Sequence, residues 1–360
     1  TTAGLVRFAE ELLSHFEATR VADQTPTPLG EESPRLGLMG TIDAARGVAE
    51  PAVASPMQQS LVALSLVRLA ETPRVSAAVR TRARTLAREI MFDLAHIEPD
   101  EIDPAADGVA AAVAWVVLAQ LEADTDADLQ PFFESCEEML AAHAAAERGE
   151  VTPGVAEAVL VWALAERAVR TGQDRDIATR DLRALYAATR PGGLVGLMPW
   201  LGWAELLLAG EAPVPAGAAL RQVREQVWAH QLTLADTGLS DRDLAGGIVF
   251  TLGAASLPTW TTARPAALCA TLLGDPRLTP PAEVSSEVVR LVRVMRFLRQ
   301  LSAREAECVF SPRPQLVRGG VRAALWSPQQ PPEASAMTLL AVCEFLRSID
   351  RLEPPGRDSP

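Results

Sequence analysis

The 360-residue sequence has no Lys and no Asn, only one Tyr, and four Cys spread far apart. Without Lys there is no GxxxxGK[ST] phosphate loop. Lys and Asn share A-rich codons, so their joint absence reads as the bias of a high-G+C bacterial genome. Cys136, Cys269, Cys308 and Cys343 form no CxxC pair. Two of them, Cys269 and Cys343, sit in apolar helical stretches, where a free thiol behaves as a small hydrophobe. That usage points to a reducing, cytoplasmic setting. No apolar run reaches about 18 residues without a charge, so no transmembrane segment is expected. The first residue is Thr1, not Met, which leaves room for a removed upstream segment. All 33 basic residues are Arg, and the formal net charge is −13. That balance argues against a sequence-independent nucleic-acid grip, which needs clustered cations, and against an anionic membrane surface as partner. The four His form no HExxH or similar ligand pattern. We therefore expect no metal and no cofactor.

What the chain does have is repetition. Six Ala/Leu-rich stretches with almost no charge begin near Met57, Ala106, Pro153, Met198, Pro258 and Pro332, roughly 45–75 residues apart. Each is followed by a charged amphipathic partner. The pairs are 57–71 with 75–96, 106–122 with 127–148, 153–171 with 174–189, 198–209 with 216–234, and 258–273 with 282–303. The sixth stretch, 333–350, takes as its partner the first helix, 3–19, whose Leu5, Phe8, Leu12, Leu13 and Phe16 share a face. A helix apolar nearly all round is buried, and one with a stripe covers it. Helical hairpins at this period form arrays. Six buried helices inside six striped ones close an all-α toroid, or α/α barrel, as a single domain over 1–360, with a flexible tail at 351–360. The alternative is an open α-solenoid, which predicts no contact between Phe8 or Leu12 and the helix containing Met337. A short helix is expected around 41–48. Pro265 implies either a helix start near Thr261 or Thr262, or a kink.

The links from a buried helix to its cover are short. Those returning to the next buried helix are mostly long: 20–56, 97–105, 190–197, 235–257 and 304–332. In such a ring all the long links fall at one mouth, where the buried helices begin. Long loops on a rigid scaffold are where function concentrates, so that mouth is the expected site.

The six-hairpin pattern resembles the α/α toroid of squalene–hopene cyclases and of protein prenyltransferase β-subunits. Arg293–Gln300 (RVMRFLRQ) is similar to the first half of the cyclase repeat signature. The closing Gly-x-Trp is missing from Leu301–Phe310, and a second partial match, Gln315-x-x-x-Gly319-x-Val321, has Val in place of Trp. The resemblance implies an apolar lumen for isoprenoid or lipid chemistry. The chain departs from it in the residues that perform that chemistry. The nearest string to the cyclase Asp-x-Asp-Asp is Asp124-Thr-Asp126-Ala-Asp128, in a short turn at the opposite mouth. The prenyltransferase Asp-x-Cys and the lanthionine-cyclase Cys-His-Gly are absent, and the length suits one toroid where hopene-type cyclases use two.

Three sets of residues are candidates for function. Asp236, Asp241 and Asp243 precede the pair Gly246 and Gly247; desolvated carboxylates at a cavity mouth act as general acids, so Asp241 and Asp243 are the candidate catalytic residues. The alternative is that these aspartates cap helices and pair with Arg242. Arg313, Arg318, Arg322 and Trp326 lie in one mouth loop. They can hold an anion bidentately or pair with the aspartates of 235–257. Trp115, Trp162, Trp200, Trp203 and Trp260 fall on the buried helices. Facing a lumen, they would line a cavity for a carbocation or lipid; otherwise they fill the core. Arg290, Arg293, Arg296 and Arg299 recur every three residues on 282–303, as a solvated face or a dock for an acidic partner. The lone Tyr186 argues against the glycosidases that share such barrels. Two functions follow: a non-catalytic or divergent toroid serving as a ligand- or protein-binding scaffold, or an isoprenoid or lipid cyclase or transferase with a mouth-loop Asp as acid.

Overall fold

The computed structural model describes residues 1–21, 37–96, 108–146, 152–238, 240–250 and 257–353. Twelve helices of ten or more residues occur among them. They are α1 (Thr2–Ala18), α2 (Pro56–Ala70), α3 (Ala77–Ala95), α4 (Gly108–Leu121), α5 (Gln130–Ala145), α6 (Val155–Thr171), α7 (Arg175–Ala188), α8 (Trp200–Ala209), α9 (Gly217–Ala229), α10 (Ala263–Leu273), α11 (Pro281–Leu301) and α12 (Pro332–Leu352).

The even-numbered helices form the inner ring. Their sequences explain it. From Ala110 to Ala119 every residue of α4 is buried. Such a helix has no face for water and must be surrounded. Its alanines let neighbouring axes come close. Inner helix packs on inner helix in chain order, from α2 through α4 and α6 to α8, and α12 packs on both α10 and α2. At the α8–α10 seam, Gly202 lies against Leu268, where a Cβ would collide with the leucine side chain. Trp203 Nε1 donates to Thr271 Oγ1 across the same seam at 2.9 Å. The ring is therefore closed.

The striped helices cover it. Phe8, Leu12, Leu13 and Phe16 of α1 are buried, and α1 packs on α12, which contains Met337. This contact excludes the open solenoid. Ion pairs also tie α1 to its outer neighbours, Glu11 to Arg299 of α11 and Glu17 to Arg82 of α3. The starts follow ordinary capping chemistry. Ser55 and Gln58 make a capping box ahead of Pro56, and Ser76 caps α3. Pro265 lies in the first turn of α10, so the start-site alternative holds and there is no mid-helix Pro. Among the described residues no single helix is long and apolar enough to cross a membrane.

One local expectation fails. The short helix expected at 41–48 is a hairpin of β3 (Thr41–Asp43) and β4 (Val48–Glu50), which follow β1 (Arg20–Val21) and β2 (Gly37–Leu38) in a separate ladder. The Asp43 carboxylate accepts from the N–H groups of Ala45 and Arg46, at 3.0 and 3.2 Å. Gly47 has φ +66°, which suits glycine. Together these close a turn that competes with a helix. β3 also pairs with β5 (Gln329–Gln330), just ahead of α12.

The long links lie between an outer helix and the next inner one, as expected. Parts of them (22–36, 97–107, 147–151 and 251–256), together with Leu239 and the tail from 354, lie outside the described residues.

Candidate functional site

The inner helices run parallel, so their C-terminal ends share the mouth with the short links. There the described residues enclose a cavity of about 250 Å³ on the barrel axis. Five inner helices reach it: Arg68 from α2, Glu166 from α6, Trp203 from α8, Thr271 from α10, and Glu344 and Arg347 from α12. A helix C-terminus favours cations, which accounts for guanidinium groups at this end. The site lies opposite the mouth that the loop lengths single out.

Arg68 is the hub. Its Nη2 donates to Glu166 Oε1 at 3.1 Å, and its Nη1 lies 4.0 Å from Glu71 Oε2. The Arg68 and Glu166 side chains are only 14% and 17% exposed. The guanidinium lies over the Trp203 ring, 5.8 Å from its centre, a cation–π distance. Burial opposes the charge of Arg68, but Glu166, Glu344 and Glu71 outweigh it and hold the group above its usual value. Burial pushes the Glu166 carboxyl above the usual carboxylate range despite Arg68, and Glu71 adds to the rise.

Arg68 Nε is buried and has no hydrogen-bond partner among the described residues. An unsatisfied buried donor costs about 1–3 kcal/mol. Of the other charges at the cavity, the exposed Arg351 makes no ion pair among the described residues, and the rest are matched locally. Arg347 lies 3.3 Å from Glu344. Arg277 grips Asp275 and donates to the carbonyl oxygen of Gly210. The Thr271 hydroxyl lies 3.3 Å from Glu344 Oε2. Trp203, Leu206 and Leu207 supply the apolar wall. Chemically, the cavity offers a buried, under-coordinated guanidinium at Arg68, an exposed one at Arg351, three carboxylates (Glu166, Asp275 and Glu344) in different environments, and an indole face.

The expected residues are placed as follows. Trp162, Trp200 and Trp203 form one cluster, with ring centres 4.9–6.0 Å apart. Trp162 and Trp200 are buried, and Trp203 borders the cavity. Trp115 stacks on Phe133 of α5 at 5.9 Å, between the inner and outer layers. Trp260 is half-buried in a turn ahead of α10. Asp241 and Asp243 are exposed beside α11, where Asp243 accepts from Gln300 Nε2 at 3.1 Å. Asp236 caps Thr233. The Gly pair has a packing reason: Gly246 has φ +99°, and a Cβ there would collide with the Arg293 carbonyl. Arg322 donates to the carbonyls of Gln300 and Leu301 and lies 3.5 Å from Glu307. Arg318 is exposed, 3.8 Å from Glu305, and Trp326 is exposed. The loop arginines thus pair with Glu305 and Glu307, not with the aspartates of 235–257.

Sequence reasoning missed Arg68, Glu166 and Glu344. A signal existed. Each is a charge that directly follows a long apolar run, in the C-terminal half of an inner helix.

A second feature lies on the outside. A groove of about 640 Å³ between α1 and α11 has a floor that includes Phe8, Val292, Met295, Phe345 and Ile349. Arg7 and Arg296 line it, and neither has an ion-pair partner among the described residues.

No protein-family profile matches the chain, and no curated protein matches it. Among solved structures it is similar to an endoglucanase from the termite Nasutitermes takasagoensis, determined at pH 2.5. The TM-score is 0.55 with 11% identity, over 95% of this chain and 98% of that one. At that identity the likeness is one of fold: both are α/α toroids.

Proposed function

We propose that the toroid is a ligand-binding scaffold whose site is the cavity at the C-terminal mouth of the inner ring. Its ligand is a small molecule with one anionic group and a flat apolar body. The observation that carries this reading is Arg68 Nε, a buried donor left without a partner beside a cavity. An anion there completes the guanidinium fork, and the apolar body rests on Trp203, Leu206 and Leu207. At about 250 Å³ the cavity is below the usual 300–1,000 Å³ of drug-sized sites. That size disfavours both a long isoprenoid and several sugar units of a glucan. Four buried thiols, none of them in a disulfide, suit a reducing compartment.

The test is native mass spectrometry of protein from its own host, with small-molecule extraction. A co-purifying small acid that is lost in Trp203→Ala supports the reading. Ligand-free protein that takes up no small carboxylate in a calorimetric screen sinks it.

A second reading rests on the outer groove. Its apolar floor and unpaired Arg7 and Arg296, on a chain of net charge −13, suit an acidic amphipathic partner. Val292→Arg disrupts that floor. A stoichiometric protein partner lost in this variant, with cavity affinity unchanged, supports that reading.

A further inference from the structure

The cavity holds one guanidinium hub and several carboxylates that depend on it. Arg68 hydrogen-bonds Glu166 and lies near Glu71 and Glu344. A ligand anion seated on Arg68 would be a fourth negative group around one cation. What happens to the displaced charge follows from what faces each carboxylate. Glu344 keeps Arg347, 3.3 Å away. Glu71 is 40% exposed and keeps water. Glu166 keeps neither once a ligand fills the cavity and displaces its water. Its side chain is 17% exposed, and Arg68 is its only cationic hydrogen-bond partner. The groups facing it are Arg68 from α2 and Glu71 at its C-cap, the Trp162 indole on α6 itself, which favours the charged carboxylate, Trp203 and Leu206 from α8, and Glu344 and Arg347 from α12. Arg170, one turn further along α6, points to solvent.

We propose that a small monoanionic ligand takes the place of Glu166 on Arg68, and that Glu166 takes up one proton from solvent as it is displaced. The step balances. The Nη2–H···Oε1 hydrogen bond from Arg68 to Glu166 is broken, the ligand anion accepts the freed donors, and one O–H bond forms on Glu166. The net charge of the cavity is the same before and after. A buried carboxylate that loses its cation is expensive as an anion, so proton uptake is the cheaper path. Burial already holds the Glu166 carboxyl above its usual range, which lowers the cost of that proton. The inference rests on the reading of the cavity as the ligand site, and it makes affinity rise in acid. Above the pH at which free-protein Glu166 ionises, affinity falls about tenfold per pH unit.

The probe is benzoate, a carboxylate on a flat apolar ring, titrated calorimetrically into the full chain at about pH 5 and about pH 7.5. Two amine buffers of different ionisation enthalpy give the number of protons taken up. The wild-type protein is expected to bind benzoate with uptake of close to one proton at the higher pH, and to bind it more tightly at the lower. Glu166→Gln keeps the volume and removes the charge. It is expected to bind at the higher pH as tightly as wild type does in acid, with no proton uptake. Binding without uptake, or uptake that persists in Glu166→Gln, overturns the proposal and leaves the ligand site standing. No binding to either protein at about pH 5 overturns the anion site and the proposal with it.

Discussion

Replacing Arg68 with Met tests whether this residue is the electrostatic hub of the barrel axis. The pair it forms with Glu166 is 14% and 17% exposed, so water screens it little. Removing one partner of a buried pair costs about 3–5 kcal/mol because the other charge is stranded. The neighbouring cavity lets water reach Glu166, which brings the expected loss to about 2–4 kcal/mol. Glu166→Gln should cost only about 1 kcal/mol, because Arg68 keeps Glu344 and Glu71 and a desolvated anion disappears. The double variant should resemble Glu166→Gln, which gives a coupling energy of about 2–4 kcal/mol in a double-mutant cycle. The assay is urea unfolding followed by tryptophan fluorescence. The pH dependence has a definite sign. The folded-state pKa of Glu166 lies above its ordinary value of 4.5. The folded state therefore binds more protons in that window, and stability falls as pH rises through it. In Arg68→Met the folded pKa rises further, so the deficit should be largest at neutral pH and shrink as pH falls to the wild-type folded pKa, which lies above 4.5. If Glu166→Gln proves as damaging as Arg68→Met, or if the deficit is independent of pH, the hub argument is wrong.

Other consequences are as specific. His15 is 4% exposed, and burial drives its pKa from 6.5 to about 4. The unfolded chain then binds the proton first, so stability present above pH 6.5 is lost by about 3 kcal/mol as pH falls to 4. His15→Gln should flatten that slope in unfolding curves, and an unchanged slope would refute the assignment. Trp162→Ala empties the centre of the tryptophan trio and should cost about 3–5 kcal/mol by urea unfolding; a loss under about 1 kcal/mol would show that the trio packs loosely. Glu205 is buried, binds Arg183 at 2.8 and 3.1 Å, and accepts from the Ala216 N–H. Glu205→Ala should cost about 3 kcal/mol without changing benzoate affinity. Gly246→Ala forces a side chain into positive φ against the α11 backbone and should lower thermal stability, again with no change in affinity.

The inner ring was legible because burial leaves a plain mark on sequence. An uncharged run such as Val109–Ala119 has no polar face to offer water, and every residue of it except Val109 is buried in α4. The cover helices were legible for the complementary reason. The stripe of Phe8, Leu12 and Phe16 needs something to cover, and α12 supplies it. The hairpin at 41–50 was missed because it rests on one carboxylate, Asp43, and one positive φ, at Gly47. Neither registers in periodicity.

The cavity was missed for a different reason. Loop length points to the mouth where the chain has freedom to vary, and Asp241, Asp243, Arg318 and Arg322 were singled out on that ground. The structure gives Asp243, Arg318 and Arg322 partners within or beside their own loops: Gln300 for Asp243, Glu305 for Arg318, and Glu307 for Arg322. At the other mouth the links are short, and the chemistry sits on the helices themselves. Arg68, Glu166 and Glu344 each follow a long apolar run on an inner helix. A charge placed there is costly unless partners arrive from other helices. Those partners are 98 residues apart for Arg68 and Glu166, and 73 apart for Thr271 and Glu344. Only closure of the ring brings them together. A charge that ends an apolar run on an inner helix is therefore a stronger sign of a site than a polar loop, because burial forces it to find a partner. Where that partner leaves a donor unmet, as at Arg68 Nε, the helix marks the place to test for a ligand.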